Sequence, residues 1–289
     1  MHLLKTLASL ALLLASTPAW PAPDASAGAD PMQACRAWIH GRSWNERASN
    51  PQTRVLSSQV ACFDGQSAPG SLDALHAWID AAPADMQPLL VLRSGGGDAE
   101  LALGLAEKLQ ARNARVHVVD TCASSCANYF YAGVRDRQVD DGALVLFHGG
   151  FSDSTLAEVM AQVDAFLASP AAAQVPDPEA TRRQVRHDQQ ALRVRQDALY
   201  ARIGVDPRIV HGIGGVTLEA LTPALCGQAV TGPDFLYFGA AIAARMGIAP
   251  TRGRVEDVPA AVRARLDALG GKIVACRVPE DSFAVAGTR

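Results

Sequence analysis

The sequence predicts an α/β fold on three observations: short apolar runs with β character, helices with one apolar face between them, and chemically active residues where the runs end. Strands that alternate with helices favour parallel pairing through right-handed crossovers. In sheets of that kind, functional groups collect beyond the carboxyl ends of the strands. The ends of the predicted strands are therefore the first place to look for a site.

The elements follow in order along the chain. VLSSQVACF (55–63) is rich in β-formers and ends at an Asp-Gly turn signal. SLDALHAWIDAA (71–82) has helical spacing of its apolar residues, and PLLVLRSGGG (88–97) is a continuous apolar strand. The remaining predicted elements show the same two patterns. They are helix 98–112, strands 116–120 and 143–150, and helices 154–169, 179–204 and 233–248.

The helix predicted at 179–204 differs from the others in being mostly polar, with sparse apolar positions. A helix of that kind either bridges or projects, in which case it packs on a second subunit, or it is a solvated surface helix. The sequence leaves both alternatives open.

The N-terminus has the pattern of a secretory signal, with Lys5, an apolar run to Ala15 and then small residues. Cleavage after Ala19 and cleavage after Ala27 both fit. A retained anchor is the weaker alternative, because the run is short for a membrane span. We therefore expect a periplasmic or secreted protein. The predicted divisions are a signal peptide (1–27), an irregular N-terminal segment (28–54), the main domain (55–250) and a C-terminal extension (251–289).

Six cysteines in an exported chain predict disulfides. Pairing of Cys35 with Cys62 and of Cys226 with Cys276 is our first expectation, because each would tie one end of the chain to a strand. The other two, four residues apart, are close enough to pair with each other. The alternative is that some are free, buried thiols. A zinc site is poorly supported, because no second pair has similar spacing.

The formal net charge of −3 argues against a nucleic-acid partner, which would require a basic face. Three predicted strands instead end in groups suited to acyl transfer: Gly95–Gly97, the pair Ser124 and Ser125, and His148. That reaction needs a nucleophile, a base within reach and N–H donors for the oxyanion. A serine between a strand and a helix has a fixed backbone and a favourable helix dipole. The plainer alternative is a tightly packed helix start made of small residues.

Three segments resemble the proteolytic subunit of Clp protease. RSGGGDAELALGLAEKL resembles its glycine turn and following helix, CASSCANYFYAG its nucleophile turn, and ALVLFHGG its histidine strand. The resemblance covers roughly residues 55–250 and extends to the helix 179–204, which is similar to the family's handle helix. The chain most resembles exported relatives of that protease within the crotonase-like superfamily. This implies a ClpP/crotonase-like spiral of β-β-α units with a projecting long helix.

Carried over by position, the resemblance implies Ser124 as nucleophile and His148, 24 residues later, as general base. It implies an oxyanion hole formed by Gly96 and the backbone N–H of Ser125. The distance to the Ala-Gly pair that ends the nucleophile turn favours Ser124 over Ser125 as the nucleophile.

Two features depart from the family pattern. The position of the family's catalytic Asp falls near Thr217, so the acid has no clear counterpart. Asp234 is the best acidic candidate, with helix N-capping as its alternative role. Gly95 stands where the family has Pro, which loosens the turn without removing an N–H donor.

The first hypothesis is an exported serine hydrolase, a peptidase acting on short peptides or unfolded chains, with no cofactor, no metal and no ATPase partner. A homo-oligomer could form through the 179–204 helix. The second is a non-catalytic binding or scaffold protein of the periplasm with the same fold. Acyl-CoA chemistry ranks last, because that cofactor is scarce outside the cytoplasm.

Overall fold

A computed structural model describes residues 30–45, 49–211, 221–229, 233–270 and 272–282. The predicted signal peptide (1–27) and the position near Thr217 lie outside the described residues. The described chain is an α/β protein with a mixed central sheet. No helix in the described ranges is both long and apolar enough to cross a bilayer.

The central sheet has six strands in the order β1-β2-β3-β4-β5, with β6 beside the second half of β4. All of its pairs are parallel except β1 with β2. The strand predicted at 55–63 is therefore a hairpin of two strands. The strands are β1 (Gln52–Val55), β2 (Val60–Ser67), β3 (Leu89–Gly97), β4 (Arg115–Ala123), β5 (Asp136–Val139) and β6 (Leu144–Leu146).

Helices cover both faces of this sheet. On one face, α2 (Asp73–Ala81) and α3 (Ala99–Ala111) pack their leucines and Trp78 into the main core. On the other face, α1 (Pro31–His40) packs on β2 and β3 through Cys35 and Ile39. The sheet is buried on both sides there, which explains the continuous apolar runs that predicted its strands.

Strand β4 is interrupted by a bulge. Leu92 pairs with Val118, but Ser94, two residues later, pairs with Cys122, four residues later. Asp120 has a left-handed φ of 71° at this point. The first half of β4 pairs with β5 and the second half with β6. The bulge therefore separates the part of β4 that pairs with β5 from the part that pairs with β6, while both parts stay beside β3.

The N-terminal segment predicted to be irregular (28–54) contains helix α1. Asp30 caps it by accepting from Met32 N–H at 3.0 Å, and Pro31 occupies its first turn. The helix is held by the Cys35–Cys62 disulfide, which joins it to β2. Only two residues of α1 are buried, so the apolar periodicity of the sequence was too weak to predict this helix.

The single helix predicted at 233–248 is wrong. Residues Phe235–Tyr237 form β7, and only Ala240–Arg245 form a helix, α9. Leu236 exchanges two backbone hydrogen bonds of 2.7 Å with Phe147, and β7 pairs in parallel with β8 (Ala275–Arg277). Pairing partners distant in sequence thus override the local helical pattern.

The C-terminal extension predicted at 251–289 packs against the main domain. Its helix α10 (Pro259–Ala268) carries Arg265, which donates to the Asp120 carboxylate and to the carbonyl of Gly142. The Cys226–Cys276 disulfide joins β8 to the short helix α8 (Pro223–Cys226). The described part of the extension is therefore packed into the same folded unit as β6.

The long helix, α6 (Pro178–Ile203), follows α5 (Asp153–Leu167) and a 3₁₀ turn at Pro170–Gln174. None of residues 178–191 is buried, whereas Leu192, Gln196, Leu199 and Tyr200 are. Its C-terminal half is thus a core element, and its N-terminal half contacts α5. The chain then enters the short helix α7 (Arg208–His211).

All six cysteines are paired, and the two pairs predicted to tie the chain ends are confirmed. The third disulfide joins Cys122 and Cys126. Three disulfides fit a protein exported to an oxidising compartment.

Candidate functional site

Ser124 and His148 lie together beyond the carboxyl ends of β4 and β6. The Ser124 Oγ is 2.5 Å from His148 Nε2. Both side chains are only partly exposed. The hydroxyl in contact with the imidazole is that of Ser124, whereas Ser125 is 2 % exposed and its Oγ has no hydrogen-bond partner in the described part of the chain. The structure thus brings together the two residues on which the sequence-based hypothesis depends.

Ser124 is held in a backbone conformation that an L-residue adopts at a cost. Its φ is 60°, in the left-handed region, where a non-glycine residue is strained by about 1–3 kcal/mol. Ser124 N–H donates to the Leu146 carbonyl at 2.9 Å, and the Ser124 carbonyl accepts from Asn128 N–H at 2.9 Å. These two bonds fix the turn between β4 and the π-type helix α4 (Cys126–Tyr131). This conformation directs the Ser124 side chain away from the end of β4.

Gly96 lies directly against Ser124. A Cβ at Gly96, whose φ is 96°, would approach Ser124 Cβ to 2.4 Å and Ser124 Oγ to 2.8 Å. Only glycine fits at this position, because both the space and the conformation exclude a side chain. The glycine segment of β3 therefore sets the place of the hydroxyl.

The Cys122–Cys126 disulfide closes a ring around the same turn. Its Cα atoms are 5.3 Å apart, and both cysteines are fully buried. The ring includes Ser124 and joins the end of β4 to the start of α4. It restrains the backbone on both sides of the strained residue.

The hydrogen bonds of His148 define its tautomer. His148 Nδ1 is 2.8 Å from the Gly149 carbonyl oxygen, which can only accept. The proton of the neutral ring is therefore on Nδ1, and Nε2 is left to accept from the Ser124 hydroxyl. Burial lowers the pKa of His148 below its ordinary value, against a smaller opposing effect of the Gly149 carbonyl. The neutral, basic form is favoured.

Two buried polar side chains hold the chain around His148, and sequence reasoning did not identify either of them. Asn128 Nδ2 donates to the His148 carbonyl at 3.2 Å. Gln196, fully buried on α6, donates to the Phe151 carbonyl at 3.0 Å and accepts from Phe151 N–H at 3.1 Å. Each has a signal in the sequence that could have found it. Asn128 is a polar residue in an apolar run, and Gln196 is a glutamine in register with Leu192 and Leu199.

Among the described residues, Asp234 makes no hydrogen bond to His148, the histidine for which it was predicted to be the acid. Its carboxylate accepts from Val274 N–H at 2.8 Å, and its own N–H donates to the Val274 carbonyl at 2.8 Å. The alternative role as a helix cap is also wrong, because the element that follows is β7. Asp234 links the starts of β7 and β8, while the Gly149 carbonyl occupies the position at His148 Nδ1.

The two predicted oxyanion donors differ in availability. Gly96 N–H is buried and donates to Ser94 Oγ at 3.1 Å. Ser125 N–H lies in the first turn of a helix, where N–H groups have no intrahelical acceptor. Ser125 therefore offers a donor as the structure stands. Gly96 N–H reaches a ligand only by exchange with the Ser94 hydroxyl.

A cavity of about 190 Å³ adjoins His148. Its walls are mainly apolar, and the Phe235 ring is 5.6 Å from the imidazole, centroid to centroid. The lining residues are Phe147, His148, Leu221, Pro233, Asp234, Phe235 and Leu236. This cavity can take a small apolar group next to the Ser–His pair.

Comparison with protein-family models, with curated proteins and with solved structures finds no match. The geometry of the site is therefore the basis on which a function can be inferred for this chain.

Proposed function

We propose that this chain is an exported serine hydrolase, a peptidase that acts through Ser124 and His148. The observation that carries the proposal is the 2.5 Å contact between Ser124 Oγ and His148 Nε2, on a ring whose tautomer leaves Nε2 unprotonated. The strained φ of Ser124 supports it, because strain at a polar residue concentrates at functional sites.

In the proposed reaction Ser124 Oγ attacks the carbonyl carbon of the substrate, and its proton passes to His148 Nε2. Ser125 N–H donates to the developing oxyanion. The oxyanion is a stronger acceptor than a hydroxyl, so it competes with Ser94 Oγ for Gly96 N–H. The protonated His148 then gives its proton to the leaving amine, and water hydrolyses the acyl-enzyme by the same steps.

The Gly149 carbonyl takes the place of an acid. It orients the ring and accepts from Nδ1–H, but a neutral carbonyl stabilises the imidazolium less than a carboxylate does. Removing the orienting acid of a triad costs about 10⁴-fold when the wrong tautomer results. Here the tautomer is correct, so we expect slow but measurable turnover.

The finer fold and the partners belong to the same proposal. The division of β4 between β5 and β6, with helices packed outside, supports a ClpP/crotonase-like spiral. The exposed N-terminal half of α6 supports a homo-oligomer formed through this helix. Substrates are short peptides or unfolded chains, and no ATPase partner is invoked.

A fluorophosphonate probe tests the proposal, because it labels serines activated by a base. The mature wild-type protein is expected to be labelled at Ser124, and Ser124→Ala to lose all labelling. Ser125→Ala is the matched control, since it removes a neighbouring hydroxyl that does not contact His148. Absence of labelling in the folded wild type, or equal labelling of Ser124→Ala, would overturn the proposal.

One observation favours the second candidate, a non-catalytic binding or scaffold protein. The engagement of Gly96 N–H by Ser94 leaves the oxyanion hole half formed. A Ser94→Ala variant separates the two candidates, because it frees this N–H. Faster probe labelling supports the hydrolase, whereas an unlabelled variant that still binds peptides supports the binding protein.

A further inference from the structure

A second cluster of polar groups lies near the opposite end of β4, about 20 Å from Ser124 at 3.3 Å per residue. In the sheet register Cys62, Val91, His117 and Gln138 lie side by side on the face that α1 covers. The apolar half of that face is packed under Cys35 and Ile39 of α1. The half on β4 and β5 is polar, and a cavity of about 350 Å³ opens over it.

Four of the twelve described residues that line this cavity are basic. Arg36 comes from α1, Arg115 and His117 from β4, and Arg252 from the segment bridged to Gln138. The other lining residues are Asp30, Pro31, Met32, Gln33, Gln59, Val60, Leu89 and Gln138. Among the described lining residues Asp30 is the only acidic one, and its carboxylate already caps α1.

The acidic group nearest this cluster is already engaged. Asp140 Oδ1 is 2.7 Å from His117 Nε2 and also accepts from Arg36. Within the described residues, Arg115 and Arg252 have no carboxylate partner and no side-chain hydrogen bond. Arg115 is only partly exposed, and its Nε is buried without an acceptor among the described residues, as is Arg36 Nε. Buried charges and donors are normally paired, so these groups indicate a missing anion.

We propose that this cavity is a binding site for a phosphate-type oxyanion, carried by a small phosphate ester or free in solution. Two guanidinium groups without counter-ions match a dianion. The planar fork of arginine suits the oxygens of a phosphoryl group. The cavity is also within the size range of small-molecule sites. The site is separate from the Ser–His pair and does not depend on the proposed hydrolase function.

The test is thermal unfolding of the mature protein with inorganic phosphate, glycerol phosphate or succinate, each at the same ionic strength set with sodium chloride. A ligand that binds only the folded state raises Tm in proportion to the logarithm of its concentration. Stabilisation by inorganic phosphate or by glycerol phosphate that grows with the logarithm of the ligand concentration is expected, and tighter binding of the latter identifies an ester. Equal stabilisation by succinate would overturn the phosphate assignment.

Arg115→Gln and Arg252→Gln are each expected to weaken phosphate binding at least tenfold. Arg252 is exposed, so its variant folds even if that at the strand residue Arg115 does not. Arg186→Gln is the matched control, because it removes one exposed arginine charge from α6, far from the cavity. No phosphate effect on the wild type, or the same weakening in Arg186→Gln, would refute a specific site.

Discussion

One histidine lies near each end of β4, and the two are in opposite situations. His117, at the amino end, has a carboxylate partner in Asp140 at 2.7 Å but no nucleophile beside it. His148, beyond the carboxyl end, has a serine hydroxyl at 2.5 Å but only the Gly149 carbonyl at its other nitrogen. An acid beside a histidine is thus not a sufficient sign of catalysis. The nucleophile, its strained backbone and its donors identify the candidate site.

The difference between the two histidines leads to the largest expected effect. His148→Ala removes the proposed general base and should lower the rate of fluorophosphonate labelling by about 10²–10⁴-fold. It should change stability little, because the residue is partly exposed. His117→Ala should instead lower the free energy of unfolding by about 1–3 kcal/mol, since Asp140 loses a buried donor.

Labelling rates and urea unfolding of both variants check this contrast. His187→Ala, at an exposed position of α6, is the control for loss of a histidine. If His148→Ala is labelled at the wild-type rate, His148 is not the base and the contrast fails.

The centre of the sheet was predictable from sequence because β3 and β4 carry continuous apolar runs, whereas β5 is mostly polar and was not predicted. Strand β3 and helices α2 and α3 were predicted to within two residues at each end, since each has a complete local signal, whereas the strand predicted at 116–120 extends to Ala123. The position of β7 was not, because its three residues become a strand only through pairing with Phe147 and with β8. Local patterns do not contain contacts between residues so far apart in the chain.

The residues of the candidate site were likewise predictable only where they have a local signal in the sequence. Ser124, Gly96 and His148 each follow or end a strand with a clear apolar run, so their meeting could be inferred from parallel topology. The Gly149 carbonyl could not be, because a backbone group has no identity in the sequence. The expectation of an acid at Asp234 came from the resemblance, and this residue instead pairs with Val274.

Removal of the Cys122–Cys126 disulfide and removal of the Cys226–Cys276 disulfide should have different consequences, and this difference is the second-largest effect we expect. Removing Cys122–Cys126 by double substitution with alanine should slow labelling about tenfold, because Ser124 can then relax from its strained φ. The ring spans only four residues, so the loss of stability is about 2 kcal/mol by loop entropy. Removing Cys226–Cys276, which spans 50 residues, should cost about 4 kcal/mol and leave the turn unchanged.

Labelling rate and urea midpoint, measured on both double variants, separate the two effects. A larger stability loss from the short ring than from the long one would contradict this account. Equal labelling of the wild type and the Cys122/Cys126 variant would show that the ring does not position Ser124.

The smallest effect concerns pH and compares the two kinds of histidine partner. Burial lowers the pKa of His148, and protonation of Nε2 prevents it from accepting the Ser124 proton. Labelling should therefore fall as pH decreases, with a midpoint below 6.5, the ordinary value for histidine. A carboxylate partner would have the opposite effect, because a nearby negative charge raises the pKa of histidine. Asp234→Asn should then leave the midpoint where it is. A wild-type midpoint above 6.5 that drops in Asp234→Asn would mean that Asp234, and not only the Gly149 carbonyl, acts on the imidazole.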